Sequence, residues 1–172
     1  MLMVVTGNGK GKTTSAIGAG VRAVGDGRRV LMIQFIKGPW KSGEDEAQLL
    51  LSPYFKIVKT GLGFVGILGD TRPREEHAAA ARQGLALARE AMLSRRWDML
   101  ILDEINNAIH LGLLDEESVL SLVDLLPDGM DLILTGRDAR QSFIDRADIV
   151  SEVLEVKHPY QQGQTGEKGV EW

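Results

Sequence analysis

The chain has 172 residues, of which 44% are hydrophobic and 26% charged, with a formal net charge of -4. That size suits one globular domain with a single sizeable core, and the acidic balance excludes a general nucleic-acid coat, which needs surplus Lys and Arg against phosphates. With no Cys there is no disulfide, thiolate metal site or cysteine nucleophile, and His77, His110 and His158 are too scattered for metal-ligand spacing. No apolar run approaches the ~20 residues that span a bilayer. The start, MLMVVTGNGK, shows no basic leader or cleavage pattern, so a cytoplasmic protein is expected, with no membrane partner.

Short apolar runs alternate with helical patterns along the chain, the signature of a parallel sheet covered on both faces. The expected strands are LMVVT (2–6), RVLMIQF (29–35), FKIVKTG (55–61), DMLILD (98–103), DLILTG (131–136) and SEVLEVK (151–157). They predict an α/β fold with a mostly parallel six-stranded sheet. A first helix is expected from Lys12 to Val24, with Ala16, Ala19, Gly20 and Ala23 as a small-residue face. A second is expected from Pro73 to Arg95, opened by Pro at its first position and by Glu75 and Glu76 at the positive end of its dipole. Its Ala78, Ala81, Leu85, Ala88 and Met92 repeat at helical spacing. Asp115 should cap a third helix, EESVLSLVDLL, that stops at Pro127. Residues 1–172 read as one domain with a polar, Gly-rich tail at 161–172, expected to lie over the surface or to fold on ligand.

Between the first strand and first helix stands TGNGKGKTT (6–14). Glycines there let consecutive backbone N–H groups turn to one anion, and the helix N-terminus adds a favourable field. Gly7, Asn8, Gly9, Lys10, Gly11, Lys12, Thr13 and Thr14 are therefore the expected ATP-binding residues. Lys12 would lie along the phosphates and the Thr13 hydroxyl would help hold Mg²⁺ or Mn²⁺. The loop is one residue short, because Thr6 stands where the common pattern has its first Gly. The fourth strand ends in LDE, and carboxylates there reach a nucleotide-bound cation. Asp103 and Glu104 are thus the metal candidates beside Thr13, and the sequence leaves open which of the two meets the ion.

The remaining polar signals, QFIKG (34–38), GLGF (61–64), TGR (135–137) and KHPY (157–160), all fall at strand ends. In a parallel sheet these ends share one edge, where open α/β sheets bind ligands. Singly, Lys37 and Arg137 read as solvated charges, and Phe64 and Trp40 as core. Together they describe a site larger than a nucleotide needs. No convincing base for a hydroxyl substrate and no lid-like arginine cluster accompany them. The residues alone thus reach a Mg-nucleotide-binding P-loop protein, with a P-loop ATPase or small-molecule kinase as one reading and a non-catalytic sensor as another.

TGNGKGKTT, QFIKG, LDE, TGR, ADIVSE (147–152) and VKH (156–158), in this order and spacing, resemble the ATP:corrinoid adenosyltransferases of the CobA/CobO/BtuR type over essentially the whole chain. The short loop belongs to that pattern. The resemblance implies a P-loop NTPase-like (RecA-like) fold. It also implies attack of a Co(I) corrinoid on the 5′ carbon of ATP with release of triphosphate, served by Lys12, Thr13 and Glu104 as catalytic residues. It implies a corrinoid site containing Phe64, Trp40, Lys37 and Arg137, a homodimer, and an external flavoprotein reductant. Phe64 matches the family's Phe, but Gly66 stands where the family often has Trp, so either Trp40 completes the aromatic wall or the wall is thinner. The N-terminal extension that covers the nucleotide in some members has no counterpart before the first strand at Leu2, so the expected site is more open or covered by a partner subunit.

Overall fold

The computed structural model describes residues 1–67, 69–159, 163, 167, 169 and 170. Its strands are β1 (Leu2–Thr6), β2 (Val30–Gln34), β3 (Phe55–Lys59), β4 (Met99–Asp103), β5 (Asp131–Thr135) and β6 (Ile149–Glu152). They form one sheet in the order β3-β2-β4-β5-β1-β6. Every pairing is parallel, so all six carboxyl ends meet one edge. β5 separates β1, which feeds the Gly-rich loop, from β4, which ends in Asp103. This is the RecA-like arrangement of a P-loop α/β fold.

The helices are α1 (Lys12–Gly25), α2 (Gly43–Leu50), α3 (Arg74–Ser94), α4 (Ile105–His110), α5 (Glu116–Val123) and α6 (Gln141–Arg146). Alternation along the strands fills two cores. Leu31, Ile33, Leu100, Leu102, Leu132 and Leu134 pack with residues of α3, α4, α5 and α6 on one face. Val30, Met32, Met99, Ile101 and Ile133 pack with Ala16 and Ala23 of α1 on the other. The small face of α1 has a direct cause: a Cβ on Gly20 would sit 2.4 Å from the Phe55 ring. Asp115 caps α5 as expected, accepting from Ser118 N–H at 2.7 Å.

Besides trims of one or two residues at the ends of β2, β3, β4 and β5, three boundaries differ from the sequence reading. Pro73 is the N-cap of α3 with ψ 139°, not its first helical residue. α5 ends at Val123, because Leu125 and Leu126 turn back with hydrogen bonds to Leu122 and Val123. β6 covers 149–152 instead of 151–157, since beyond Val153 the backbone leaves β1 and turns over the Gly-rich loop. KHPY therefore lies past the strand, with Tyr160 outside the described residues. The tail expected at 161–172 also falls outside them, apart from four residues. Among the described residues no helix is long and apolar enough to cross a membrane.

Candidate functional site

The short loop turns on Gly7 (φ 97°) and Gly11 (φ 119°), left-handed conformations that side chains rarely adopt. Gly9 has a different reason to lack a side chain. Its N–H donates to Val153 O at 2.7 Å, and a Cβ there would lie 2.6 Å from the Leu154 backbone. The loop is thus braced by the segment leaving β6. Lys12 Nζ donates to Gly9 O at 2.7 Å, folding back across the loop. Burial, then the nearby Arg137 guanidinium, lowers the Lys12 pKa. Lys10 Nζ donates to Val170 O at 2.6 Å, while Asn8 and Thr14 are exposed.

Asp103 is fully buried and gathers the neighbouring strand ends. Its Oδ1 accepts from Thr13 Oγ1 and Thr135 Oγ1, each at 2.8 Å, and its Oδ2 accepts from Gln34 Nε2 at 3.1 Å. Glu104 follows in a left-handed conformation (φ 61°), its N–H donating to Thr135 Oγ1 at 2.9 Å. A non-glycine residue held there carries about 1–2 kcal/mol of strain. Burial, then the Asp103 carboxylate, pushes the Glu104 pKa up to about 7, against the pull of Lys37, Lys12 and Arg137. Five charged side chains thus interact around one strand edge. Hydroxyl and carboxylate oxygens of Thr13, Asp103 and Glu104 suit a hard divalent cation. Among the described residues no cluster of three or more His, Cys, Asp or Glu could hold a metal ion by itself.

The aromatic candidates lie in the loops after β2 and β3. Trp40 and Phe64 have ring centroids 5.8 Å apart, tilted by 34°, and remain 59% and 47% exposed. They line a pocket of about 220 Å³ with Leu62, Ile67, Asp70 and Arg72. The indole sits on Gly38 and Gly63, where added Cβ atoms would each approach it to 2.6 Å. Lys37 and Arg137 are not among the residues lining this pocket. Lys37 ion-pairs with Glu44, and both cations belong to the charge cluster around Glu104.

Several positioning residues escape the sequence reading. Gln34 Nε2 bridges Asp103 to Glu44, the latter at 3.4 Å. Asn107 Oδ1 accepts from Arg137 N–H at 2.8 Å and fastens the TGR turn to α4. Gln34 and Thr135 lie within the quoted strand-end motifs, so their position was a signal. Asn107, in the middle of a short helix, gave none.

The family model for ATP:corrinoid adenosyltransferase BtuR/CobO/CobP matches residues 1–172. The corrinoid adenosyltransferase of Escherichia coli K12 is 36% identical over 175 residues, covering 100% of this chain and 85% of that protein. Corrinoid adenosyltransferase CobA of Salmonella typhimurium is 35% identical over the same shares. The Pseudomonas aeruginosa corrinoid adenosyltransferase is 34% identical over 172 residues, covering 100% of this chain and 83% of that one. With the family model matched over the whole chain and relatives at 34–36% identity over its full length, the chain belongs to the ATP:corrinoid adenosyltransferases, a family of transferases.

Proposed function

We propose that the protein transfers the 5′-deoxyadenosyl group of ATP to the Co(I) centre of a reduced corrinoid. The observation that carries this reading is one sheet edge holding both a cationic phosphate loop and a half-exposed aromatic pocket. The Co(I) electron pair attacks C5′, a cobalt–carbon bond forms, and the C5′–O bond breaks with its electrons leaving on triphosphate. Co(I) has no proton to lose, so no hydroxyl-activating base is required. The work left to the chain is orientation of C5′ and stabilisation of the leaving charge. Lys12 and the loop N–H groups do the second. Mg²⁺, held by Thr13 with Asp103 and Glu104, would neutralise further phosphate charge. Trp40 and Phe64 supply the apolar wall against the corrinoid, and Trp40 stands in for the aromatic absent at Gly66.

The reading includes one domain over residues 1–172, a homodimer, an external flavoprotein reductant and a cytoplasmic location. Glu104 favours one competing reading. A carboxyl with a pKa near neutrality could position a water or hydroxyl, as in a P-loop ATPase or kinase. Product analysis separates them. Incubation with MgATP and chemically reduced cob(I)alamin should give the light-sensitive spectrum of an adenosylated corrinoid and one triphosphate per turnover. ADP without that spectrum would replace the proposal with the competing reading.

A further inference from the structure

The loop between β3 and α3 carries Phe64 and forms most of the aromatic pocket, yet its backbone follows neither strand nor helix. Gly63, Gly66 and Gly69 all adopt positive φ there (111°, 69° and 80°), so the segment gains little rigidity from its own dihedral preferences. Besides backbone bonds from Gly63 N–H to Ile36 O at 3.0 Å and from Asp70 N–H to Ile67 O at 3.1 Å, one carboxylate braces it. Asp70 Oδ2 accepts from Gly66 N–H at 2.8 Å and pairs with His77 Nε2 at 3.1 Å, while Oδ1 accepts from Arg72 N–H at 3.1 Å. The Asp70 side chain is 8% exposed and that of His77 2%. His77 sits in the first turn of α3, the helix that buries Ala78, Ala81 and Ala88 in the main core. A buried imidazole on a rigid helix therefore holds a carboxylate that ties both ends of the 66–72 turn.

We propose that Asp70 and His77 are positioning residues for the corrinoid, fixing the Phe64-bearing loop so that the aromatic pocket is preformed. This rests on the proposed corrinoid reaction and extends it to His77, which reaches the substrate only through the loop, and to Asp70, which lines the pocket and braces its wall. A preformed wall matters because ordering a glycine-rich loop on binding would subtract directly from affinity. The ATP loop shares none of these contacts, so the effect should fall on one substrate.

The test uses the full chain with Asp70→Ala, His77→Ala and His77→Gln. Steady-state kinetics with MgATP and cob(I)alamin should show the KM for corrinoid rising roughly tenfold in both Ala variants. The KM for ATP should stay within about twofold of the parent, as expected for a distant site. His77→Gln keeps an N–H donor for Asp70 and should restore most of the loss. Hydrogen exchange of the ligand-free proteins should show the Gly66 and Arg72 amides losing protection in Asp70→Ala while the β1 and β4 amides keep theirs. Equal rises in both KM values, an unchanged corrinoid KM, or unchanged protection at Gly66 would each overturn the proposal. If the parent protein neither binds nor adenosylates corrinoid, the proposed function falls and the substrate role of the pair falls with it. The exchange arm then still reports whether the pair anchors the loop.

Discussion

Glu104 combines a strained backbone with a carboxyl that titrates near neutrality. Its pKa is raised in the folded protein, so between about pH 4.5 and 7 the native state binds more protons than the unfolded chain. Stability of the ligand-free protein must then fall as pH rises through that window, by roughly 3 kcal/mol at most. Glu104→Gln should flatten the slope, and denaturant midpoints measured from pH 5 to pH 8 check this. An identical slope in the variant would assign the titration to another group. Lys12 presents the opposite charge logic. It spends its ammonium on Gly9 O, a neutral acceptor that phosphate oxygens outcompete. Lys12→Ala should therefore lower kcat by on the order of 100-fold or more through the loss of leaving-group stabilisation. Near-normal turnover would remove Lys12 from the mechanism.

The Gly-rich loop is held from outside by the segment after β6, and this separates two kinds of glycine. Gly9→Ala would push a methyl into the Leu154 backbone, costing about 1–3 kcal/mol and lowering the melting temperature by roughly 3–10 °C. Gly18 on α1 has nothing within 4 Å of its Cβ position, so Gly18→Ala should leave the melting temperature unchanged or raise it through helix propensity. Calorimetry on the two variants tests the brace, which comparable shifts would contradict. The brace also marks where the sequence stops being legible. The strands β1, β2, β4 and β5 were readable because largely buried apolar runs of that length have few alternatives in an α/β chain, and the half-buried β3 because Phe55 and Ile57 alternate with Lys56. β6 was misplaced because its four residues are exposed and its apolar continuation bonds to a loop instead of a strand. α2, α4 and α6 span only six to eight residues, too few turns for a periodic pattern. In the site, charged and hydroxyl residues within motifs were legible, whereas Gln34, Asn107 and the Asp70–His77 pair act through contacts between separate segments. Those contacts exist only after the chain has folded.

The parallel sheet sets the Gly-rich loop after β1 and the aromatic pocket after β2 and β3 along one edge, with β4 and β5 between them. Among the described residues no hydrogen bond or ion pair joins Lys12 to Trp40, so their variants should separate cleanly. Lys12→Ala should weaken ATP with little change for corrinoid, and Trp40→Ala should do the reverse. Their effects on kcat/KM should multiply, as for independent positions. Gln34 is the exception, since its amide joins buried Asp103 to Glu44. Glu44 in turn pairs with Lys37, three residues before Trp40. Burial pushes the Glu44 carboxyl up, but the Lys37 hydrogen bond and charge, its own backbone N–H and Ser42 together outweigh this, and its pKa ends below the usual value. The path from Asp103 to the aromatic loop is therefore a chain of hydrogen-bonded charged and amide groups, in which losing the middle member removes a donor from Asp103 Oδ2 and one from Glu44. Gln34→Leu should consequently raise the KM for ATP and for corrinoid together, each by about 5- to 20-fold, a coupling of roughly 1–2 kcal/mol. A rise in the ATP KM alone would confine Gln34 to the metal side, and the two substrate regions would then be coupled only through the reacting atoms.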